Sequence, residues 1–415
     1  MRDPFLNGGY IGQSGVYSDG GIWLIDSVTK APFLAAVGNE NWPGSAGSFE
    51  VLDSTLNGAV PSGVLMMGGI TSASAADASF TMGFGDASGN EHFITGSSDH
   101  GKTTTSTGRY AGTSQILRVV YNQYLYYGAA QDPSFKTGGM DITENGGRSN
   151  IFGYMFLSGC PVAVGRITPS GSVSGTATVS GLSFAPKAII IINSWPGAGG
   201  LNVNSYFGFG VCDENLVQGS ASWFDHSGLA TSSVSNRLSN SYAVCDGYAN
   251  THAEEITSLN SDGFTVTTRI ATYATSQSLQ YIAIGGVRSH VVNTNTDSAN
   301  KSIGSSDFTP TASVHSWNLT TTNGSATNSN AEYWSIGMAS QGTSSIDSWY
   351  VRVRSQDGVG TSNCNNGYGA GGYIGHFGHI PRSLQLVSYN SSGGGVVNSS
   401  GPTSNGLVSL FLGPE

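Results

Sequence analysis

The pattern of apolar and polar positions along the chain is that of a β protein. The longest β-branched run is A-I-I-I-I-N at 188–193, which follows Pro186. Such a run, bounded by turn residues, predicts a strand that is buried on both faces. The 3.6-residue periodicity of amphipathic helices is almost absent. We therefore predict an all-β fold.

Similar strand marks recur at intervals of about 125 residues, which is the signature of tandem repeats. The marks are a proline before a strand, a glycine after an aromatic strand, and a glycine closing the last strand. These residues are Pro61, Pro186 and Pro310; Gly85, Gly210 and Gly337; Gly159, Gly286 and Gly413. The competing explanation is that strands ending in glycine after an aromatic residue recur in any β protein.

The repeats predict three tandem β-sandwich domains of jelly-roll-like type behind a short N-terminal anchoring arm. The arm covers 1–49, and the domains cover 50–166, 167–297 and 298–415. A domain of this size buries an adequate core without a disulfide or a metal ion.

Composition and charge narrow the function classes. Only 10% of the residues are charged, against about a quarter in ordinary domains. The net charge is −10 and the 16 basic residues are scattered, which argues against nucleic-acid binding. No apolar stretch is long enough to predict a membrane span.

The four cysteines do not recur with the repeats, so we expect reduced, buried thiols. The first residues lack the apolar core of a secretory signal, which predicts synthesis in the cytoplasm and release by cell lysis.

Aromatic residues mark the arm as a docking element. Trp23 and Ile25 lie in G-G-I-W-L-I, and Trp42 and Pro43 lie in N-W-P. A segment this short cannot bury its own apolar side chains, so we expect these four residues to anchor the chain to a larger particle.

The arm resembles short segments of virion proteins of tailed bacteriophages, in which Gly-Val/Ile-Trp-x-Leu/Ile precedes Asn-Trp-Pro. The middle repeat also resembles phage structural domains that open with Phe-x-Pro-x-Ala, at 184–188, and close with Asp-Gly-Phe-Thr-Val and Tyr-x-Ala-x-Gly-Gly, at 262–266 and 281–286. The outer repeats match only in part. This resemblance implies a virion protein whose partners are other tail or capsid proteins, with a homotrimer and a host surface glycan as further expected partners.

Catalytic and metal-binding motifs are weak. His376 and His379 have a metal-like spacing, but residues three apart on a strand point to opposite faces. His252 beside Glu254 and Glu255 suggests acid–base chemistry, and the favoured interpretation is a solvated loop. Glycine runs at 83–89 and 367–372 lack a following helix, so no phosphate site is predicted. We expect no cofactor, no metal ion and no enzymatic activity.

Tryptophans are the remaining candidates for ligand binding. Trp195, Trp223, Trp317 and Trp349 are predicted to offer flat faces to sugar rings. By contrast, Trp334 recurs as Phe84 and Phe209 near one position of the repeat, which favours a core role for these three rings.

The sequence therefore favours a non-enzymatic tail-fibre or tail-associated attachment protein of a phage particle. The alternatives left open are a capsid decoration, cement or head-fibre protein, and a polysaccharide-binding or polysaccharide-degrading surface protein. A depolymerase would need two carboxyl groups in a groove.

Overall fold

The computed structural model describes the chain at 31–69, 77–120, 126–146, 151–194, 202–246, 251–272, 279–296, 300–304, 307–318, 326–327, 332–356, 359–362, 364–371, 373–377, 382–400 and 405–415. Residues Phe33–Glu415 form one compact unit. The fold is all-β and antiparallel, with one short 3-10 helix at Ser54–Leu56 in the described part.

The strands fall into three consecutive groups, which we call modules 1, 2 and 3. Module 1 contains β1 Leu34–Asn41, β2 Gly47–Leu52, β3 Gly63–Gly68, β4 Ala78–Asp86, β5 Glu91–Ser98, β6 Thr107–Gly112, β7 Leu117–Val120, β8 Tyr126–Lys136, β9 Gly139–Glu144 and β10 Ile151–Ser158. Module 2 contains β11 Val162–Ile167, β12 Thr176–Val179, β13 Ala188–Asn193, β14 Asn202–Val203, β15 Ser205–Cys212, β16 Gln218–Asp225, β17 Val234–Ser239, β18 Val244–Cys245, β19 His252–Asn260, β20 Gly263–Ala271 and β21 Leu279–Ile284. Module 3 contains β22 Val287–Thr296, β23 Asn300–Ile303, β24 Ala312–Asn318, β25 Ala326–Thr327, β26 Glu332–Gln341, β27 Ile346–Ser355, β28 Cys364–Ala370, β29 Tyr373–Phe377, β30 Arg382–Asn390, β31 Gly394–Ser400 and β32 Asn405–Pro414.

Each module has a larger sheet and a four-stranded sheet. In module 1 the strand orders are β1-β10-β3-β4-β5-β6 and β2-β9-β8-β7. Module 2 repeats this plan with β11-β21-β13-β15-β16-β17 and β12-β20-β19-β18. Module 3 repeats it with β22-β32-β24-β26-β27-β28 and β23-β31-β30-β29. Two short strands cross between modules, because β14 pairs with β6 and β25 pairs with β17.

The strand pairing places the start of each module earlier in the chain than the sequence marks predicted. Strand β1 pairs along its whole length with β10, and β2 pairs with β9, so residues from Leu34 belong to module 1 and not to an arm of 1–49. Likewise β11 pairs with β21 of module 2, and β22 pairs with β32 of module 3. In modules 2 and 3, the first strand directly follows the last strand of the preceding module. The proline landmarks lie further along the chain and therefore do not mark these boundaries.

The isoleucine run of β13 lies between β15 and β21 and is buried on both faces, as predicted. Ile189 and Ile191 pack into the core between the two sheets of module 2. Ile190 and Ile192 point the other way, into a central core that all three modules share. Because side chains alternate between the two faces of a strand, β13 contributes residues to both cores.

The shared core contains an aromatic cluster made of one residue from each module. The ring centroid of Phe80 lies 4.8 Å from that of Phe207 and 4.9 Å from that of Trp334, and the centroids of Phe207 and Trp334 are 5.6 Å apart. The same interval separates Phe80 from Phe207 and Phe207 from Trp334 in the sequence. Equivalent residues of three repeats meet at one point, so the modules surround an approximate threefold axis.

The modules also contact one another in a closed ring at what we call the seams. At the seam between modules 1 and 2, the amide of Val164 donates to Asp86 Oδ2 at 2.8 Å. At the next seam, the amide of Val291 donates to Asp213 Oδ2, also at 2.8 Å. The third seam returns from module 3 to module 1, and there the amide of Val37 donates to Ser340 Oγ.

Candidate functional site at the threefold axis

Three equivalent strand ends meet beyond the aromatic cluster around one carboxylate. Ser98 of module 1 donates a hydrogen bond to Asp225 Oδ2 at 2.7 Å, and Ser355 of module 3 donates to the same atom at 2.8 Å. All three side chains are buried. A buried carboxylate needs donors of this kind, since an uncompensated charge costs several kcal/mol. This polar triad therefore ties the three modules together at the axis.

The loops that follow these strands form a ring, which we call the axial loop ring and define by 99–106, 226–233 and 359–362. Its backbone bonds join each loop to the two others. Thr105 N donates to Leu229 O at 2.8 Å, Ser232 N to Val359 O at 3.0 Å, and Ser362 N to Lys102 O at 2.8 Å.

Hydroxyl groups complete this ring with reciprocal bonds. The amide of Leu229 donates to Thr105 Oγ1 at 2.9 Å, that of Val359 to Ser232 Oγ at 3.1 Å, and that of Lys102 to Ser362 Oγ at 2.9 Å. Three loops that satisfy one another's amides have less freedom than three separate loops. The ring is consequently a preorganised surface on the axis.

The outer face of the ring is polar, and its one charged side chain among the described residues is that of Lys102. Its exposed residues are Gly101, Lys102, Thr103, Thr104, Gly228, Leu229, Ala230, Thr231, Gly360 and Thr361. Beneath it, burial and the neighbouring Asp77 raise the pKa of Asp99 to about 6, in that order of importance. This face offers hydroxyls for contact with another surface.

The sequence analysis missed the ring, although a signal was present. Thr104-Thr105, Thr231-Ser232 and Thr361-Ser362 stand at nearly equal intervals in the three repeats. Hydroxyl dipeptides are common in a chain so rich in serine and threonine, so their register alone did not stand out.

The predicted anchoring residues divide into two groups. Trp23 and Ile25 lie outside the described residues. Trp42 is buried and packs edge-on against Phe152 at 5.8 Å in the core of module 1, while Pro43 is exposed beside it. Trp42 thus stabilises module 1 and offers no exposed ring to a partner.

The predicted ligand-facing tryptophans do not form an exposed aromatic surface. Trp195 lies outside the described residues. Trp223 stacks on Phe207 at 5.6 Å, Trp317 donates from Nε1 to Thr296 Oγ1 at 3.0 Å, and Trp349 stacks on Tyr368 at 5.3 Å.

Trp223, Trp317 and Trp349 are each at most 3% exposed. Their faces are therefore covered in this conformation. The core role predicted for Phe84, Phe209 and Trp334 is confirmed, since all three are buried.

The predicted solvated loop at His252 is wrong. His252 begins β19, and its Nε2 lies 2.9 Å from Glu254 Oε1, with both side chains buried. Thr268 donates to the same Glu254 oxygen at 3.0 Å. A buried His–Glu pair inside a sandwich resembles a polar loop in sequence. Because the pair is buried, it cannot meet a substrate in this conformation.

The structure also places the cysteines, one of the glycine runs and part of the histidine pair. The four cysteines are free and buried, as expected. At Gly83 a Cβ atom would overlap the carbonyl oxygen of Ile116, so this glycine permits close approach of two strands. His376 lies on β29, while the side chain of His376 and the whole of His379 lie outside the described residues. Within the described chain, no group of three or more His, Cys, Asp or Glu side chains is placed to hold a metal ion.

No helix in the described ranges has the length and apolarity needed to span a membrane. Models of known protein families give no match to the chain, and neither do the curated proteins.

Proposed function

We propose that the chain is a non-enzymatic attachment component of a tailed-phage particle, belonging to a tail fibre or to a structure associated with the tail. The observation that carries this proposal is the meeting of Phe80, Phe207 and Trp334 on one axis. We also propose that the three modules are diverged copies of one sandwich domain of jelly-roll-like type.

A threefold unit within one chain suits a threefold partner. Fibre shafts are commonly trimers, and a closed symmetric assembly joins a partner best along a shared axis. In the proposed assembly, the three modules of one chain take the places of the three subunits of a homotrimer. The proposed partner is therefore a trimeric tail protein, and the chain itself acts as a monomer of 42.8 kDa.

The two ends of the axis support a division of roles. Leu34 pairs with Ser158 at the end of the sheet where Gly63 pairs with Asp86. The axial loop ring lies at the opposite end, beyond the pairing of Ala78 with Ser98. Strand β1 thus begins at the end opposite the ring, and we assign anchoring to that end and contact with a host surface to the ring.

The surface chemistry also fits an attachment role. The acid–base candidates His252 and Glu254 are buried within module 2. Hydroxyl-rich loops resist nonspecific ionic adhesion and can still hydrogen-bond to a glycan.

Cryo-electron microscopy of purified particles tests the proposal. We expect density for one chain per threefold site at the tail, with the end bearing Leu34 toward the particle. Density over the capsid shell would overturn the tail assignment and support a decoration protein. A chain that lacks residues 1–30 tests the anchoring role, because this deletion leaves β1 intact. Normal incorporation of the shortened chain into particles would refute that role.

A further inference from the structure

The three seams are equivalent in position but differ in chemistry. Within module 2, on the strand that borders module 1, the ring of Tyr281 crosses Gly165 of the paired strand, where a Cβ atom would overlap the tyrosine hydroxyl. Within module 1, on the strand that borders module 3, Tyr154 crosses Gly38 in the same way. In module 3 the corresponding position on the first strand is Val292, which pairs with Ser409, so no tyrosine lies in this place.

Only the seam from module 3 to module 1 combines its tyrosine with a longer hairpin on the facing module. The hairpin from β26 to β27 pairs Ser340 with Asp347, whereas the equivalent hairpin of module 2 joins Asp213 to Val217. The extra residues place Asp347 beside β1. A groove of about 400 Å³ results, lined among others by Gly38, Tyr154, Asp347, Ser348 and Gly371. This volume lies in the range of small-molecule sites.

Among the described lining residues, the groove contains one carboxylate, that of Asp347. Tyr154 Oη lies 3.2 Å from Asp53 Oδ2, which commits the phenol proton to that carboxylate. Burial, and then the charge of Asp53, raise the pKa of Asp347. None of the residues lining the groove is basic. The Asp347 carboxylate therefore lacks a counter-charge among the described lining residues, and a ligand that brings donors or positive charge would be favoured.

A second observation also points to a ligand. Ser348 lines the groove and is 6% exposed, yet its Oγ has no hydrogen-bond partner among the described residues. A buried hydroxyl without a partner is costly, and a bound polar group can satisfy it.

We propose that this groove binds one carbohydrate ring, with preference for a sugar that carries a protonated amine. The sugar hydroxyls would donate to Asp347 and accept from Ser348, and the ammonium group would lie beside Asp347. The biological meaning of this site rests on the proposed attachment function, but the binding itself does not.

Saturation-transfer NMR on the purified full chain at pH 7 tests the proposal with three probes: glucosamine, glucose and N-acetylglucosamine. We expect glucosamine to bind at millimolar concentration and at least about tenfold more tightly than the two uncharged sugars, because a charge-assisted pair contributes a factor of that order. Equal binding of all three sugars, or binding of none, would overturn it.

Variants locate the site and separate it from nonspecific attraction. Asp347→Asn should reduce glucosamine binding about tenfold, and Ser348→Ala should reduce it by a smaller factor. Asn90→Ala changes the equivalent hairpin position at the seam between modules 1 and 2, and it should leave binding unchanged. Methylammonium at the same concentration should not displace the sugar; complete displacement would mean that the groove recognises any small cation.

The outcome is independent of where the chain sits on a particle. Sugar binding by the purified chain together with density away from the tail would refute the attachment proposal and leave the groove assignment standing. Tail density without sugar binding would refute the groove assignment and leave the attachment proposal standing.

Discussion

The amide of Val37 donates to the side-chain oxygen of Ser340 at 2.9 Å, joining the first module to the last. The two residues are 303 positions apart. Asp86 and Asp213 play the part of Ser340 at the other two seams. The contact closes the ring of modules, so no module has a free seam.

The aspartate seams should be more sensitive to substitution than the serine seam. Asp213 is buried and accepts from the amides of Asn215, Val217 and Val291. Asp213→Ala should lower the free energy of unfolding by about 2–4 kcal/mol, because three amides lose their acceptor, and Ser340→Ala should lower it by about 1 kcal/mol. Urea titration of the purified chain measures both.

An exposed hydroxyl gives the control for these seam variants. Thr178 contacts Thr265 on the surface of module 2, and Thr178→Ala should change stability by less than about 0.5 kcal/mol. If Asp213→Ala and Thr178→Ala behaved alike, the seam bonds would not hold the modules together.

The aromatic cluster should act as one energetic unit. Phe207 contacts both Phe80 and Trp334, and Phe207→Ala should cost about 3–5 kcal/mol because its cavity lies in a core shared by three modules. A double-mutant cycle with Trp334→Ala should show coupling of about 0.5–3 kcal/mol. Additive costs would contradict the axial packing. Val387, which is half exposed, supplies an alanine control on the surface of module 3.

The sequence predicted those parts of the fold that depend on local pattern. The four isoleucines of β13 specify a doubly buried strand because their alternation is visible within six residues. The meeting of Phe80, Phe207 and Trp334 depends on how separate repeats pack, and only their equal spacing hinted at it. Local sequence patterns do not indicate whether equivalent residues of different repeats contact one another.

The candidate site was harder to predict for a related reason. Strand β16, Q-G-S-A-S-W-F-D, is rich in small polar residues and resembles a loop, so Trp223 was expected on a surface. In the structure, Ser222 and Asp225 are buried in this strand, because Ser222 faces Cys245 in the second sheet of module 2 and Asp225 faces the two neighbouring modules. Burial against another repeat leaves little trace in a single strand's sequence.

The polar triad at the axis gives a third prediction. Asp225→Ala removes the acceptor shared by Ser98 and Ser355, leaves two buried hydroxyls unsatisfied, and should cost about 2–4 kcal/mol. Asp225→Asn keeps one oxygen acceptor and should cost less. Chemical denaturation compares the two variants, and an equal loss for both would show that the carboxylate charge, rather than the shared hydrogen bonds, matters at this position.

Glu91 should make the stability of the chain fall as the pH rises. It begins β5 and is 6% exposed, and the amide of Asp132 donates to its Oε1 at 2.6 Å. Burial raises the pKa of Glu91 from 4.5 to about 7, and the backbone bond from Asp132 only partly opposes this. Between these values the folded chain binds more protons than the unfolded chain, so the stabilisation is complete below pH 4.5 and is lost as the pH rises through 7.

The Glu91→Gln variant isolates this effect. Glutamine keeps an oxygen for the Asp132 amide but carries no charge, so the variant should match the wild type near pH 4.5 and exceed its stability at pH 8. The gain should reach up to about 3 kcal/mol, at about 1.4 kcal/mol for each pKa unit. Urea midpoints across this pH range give the measurement, with Glu50→Gln as a control because Glu50 is exposed. A difference between wild type and Glu91→Gln that stayed constant from pH 4.5 to pH 8 would mean that Glu91 titrates normally in the folded chain.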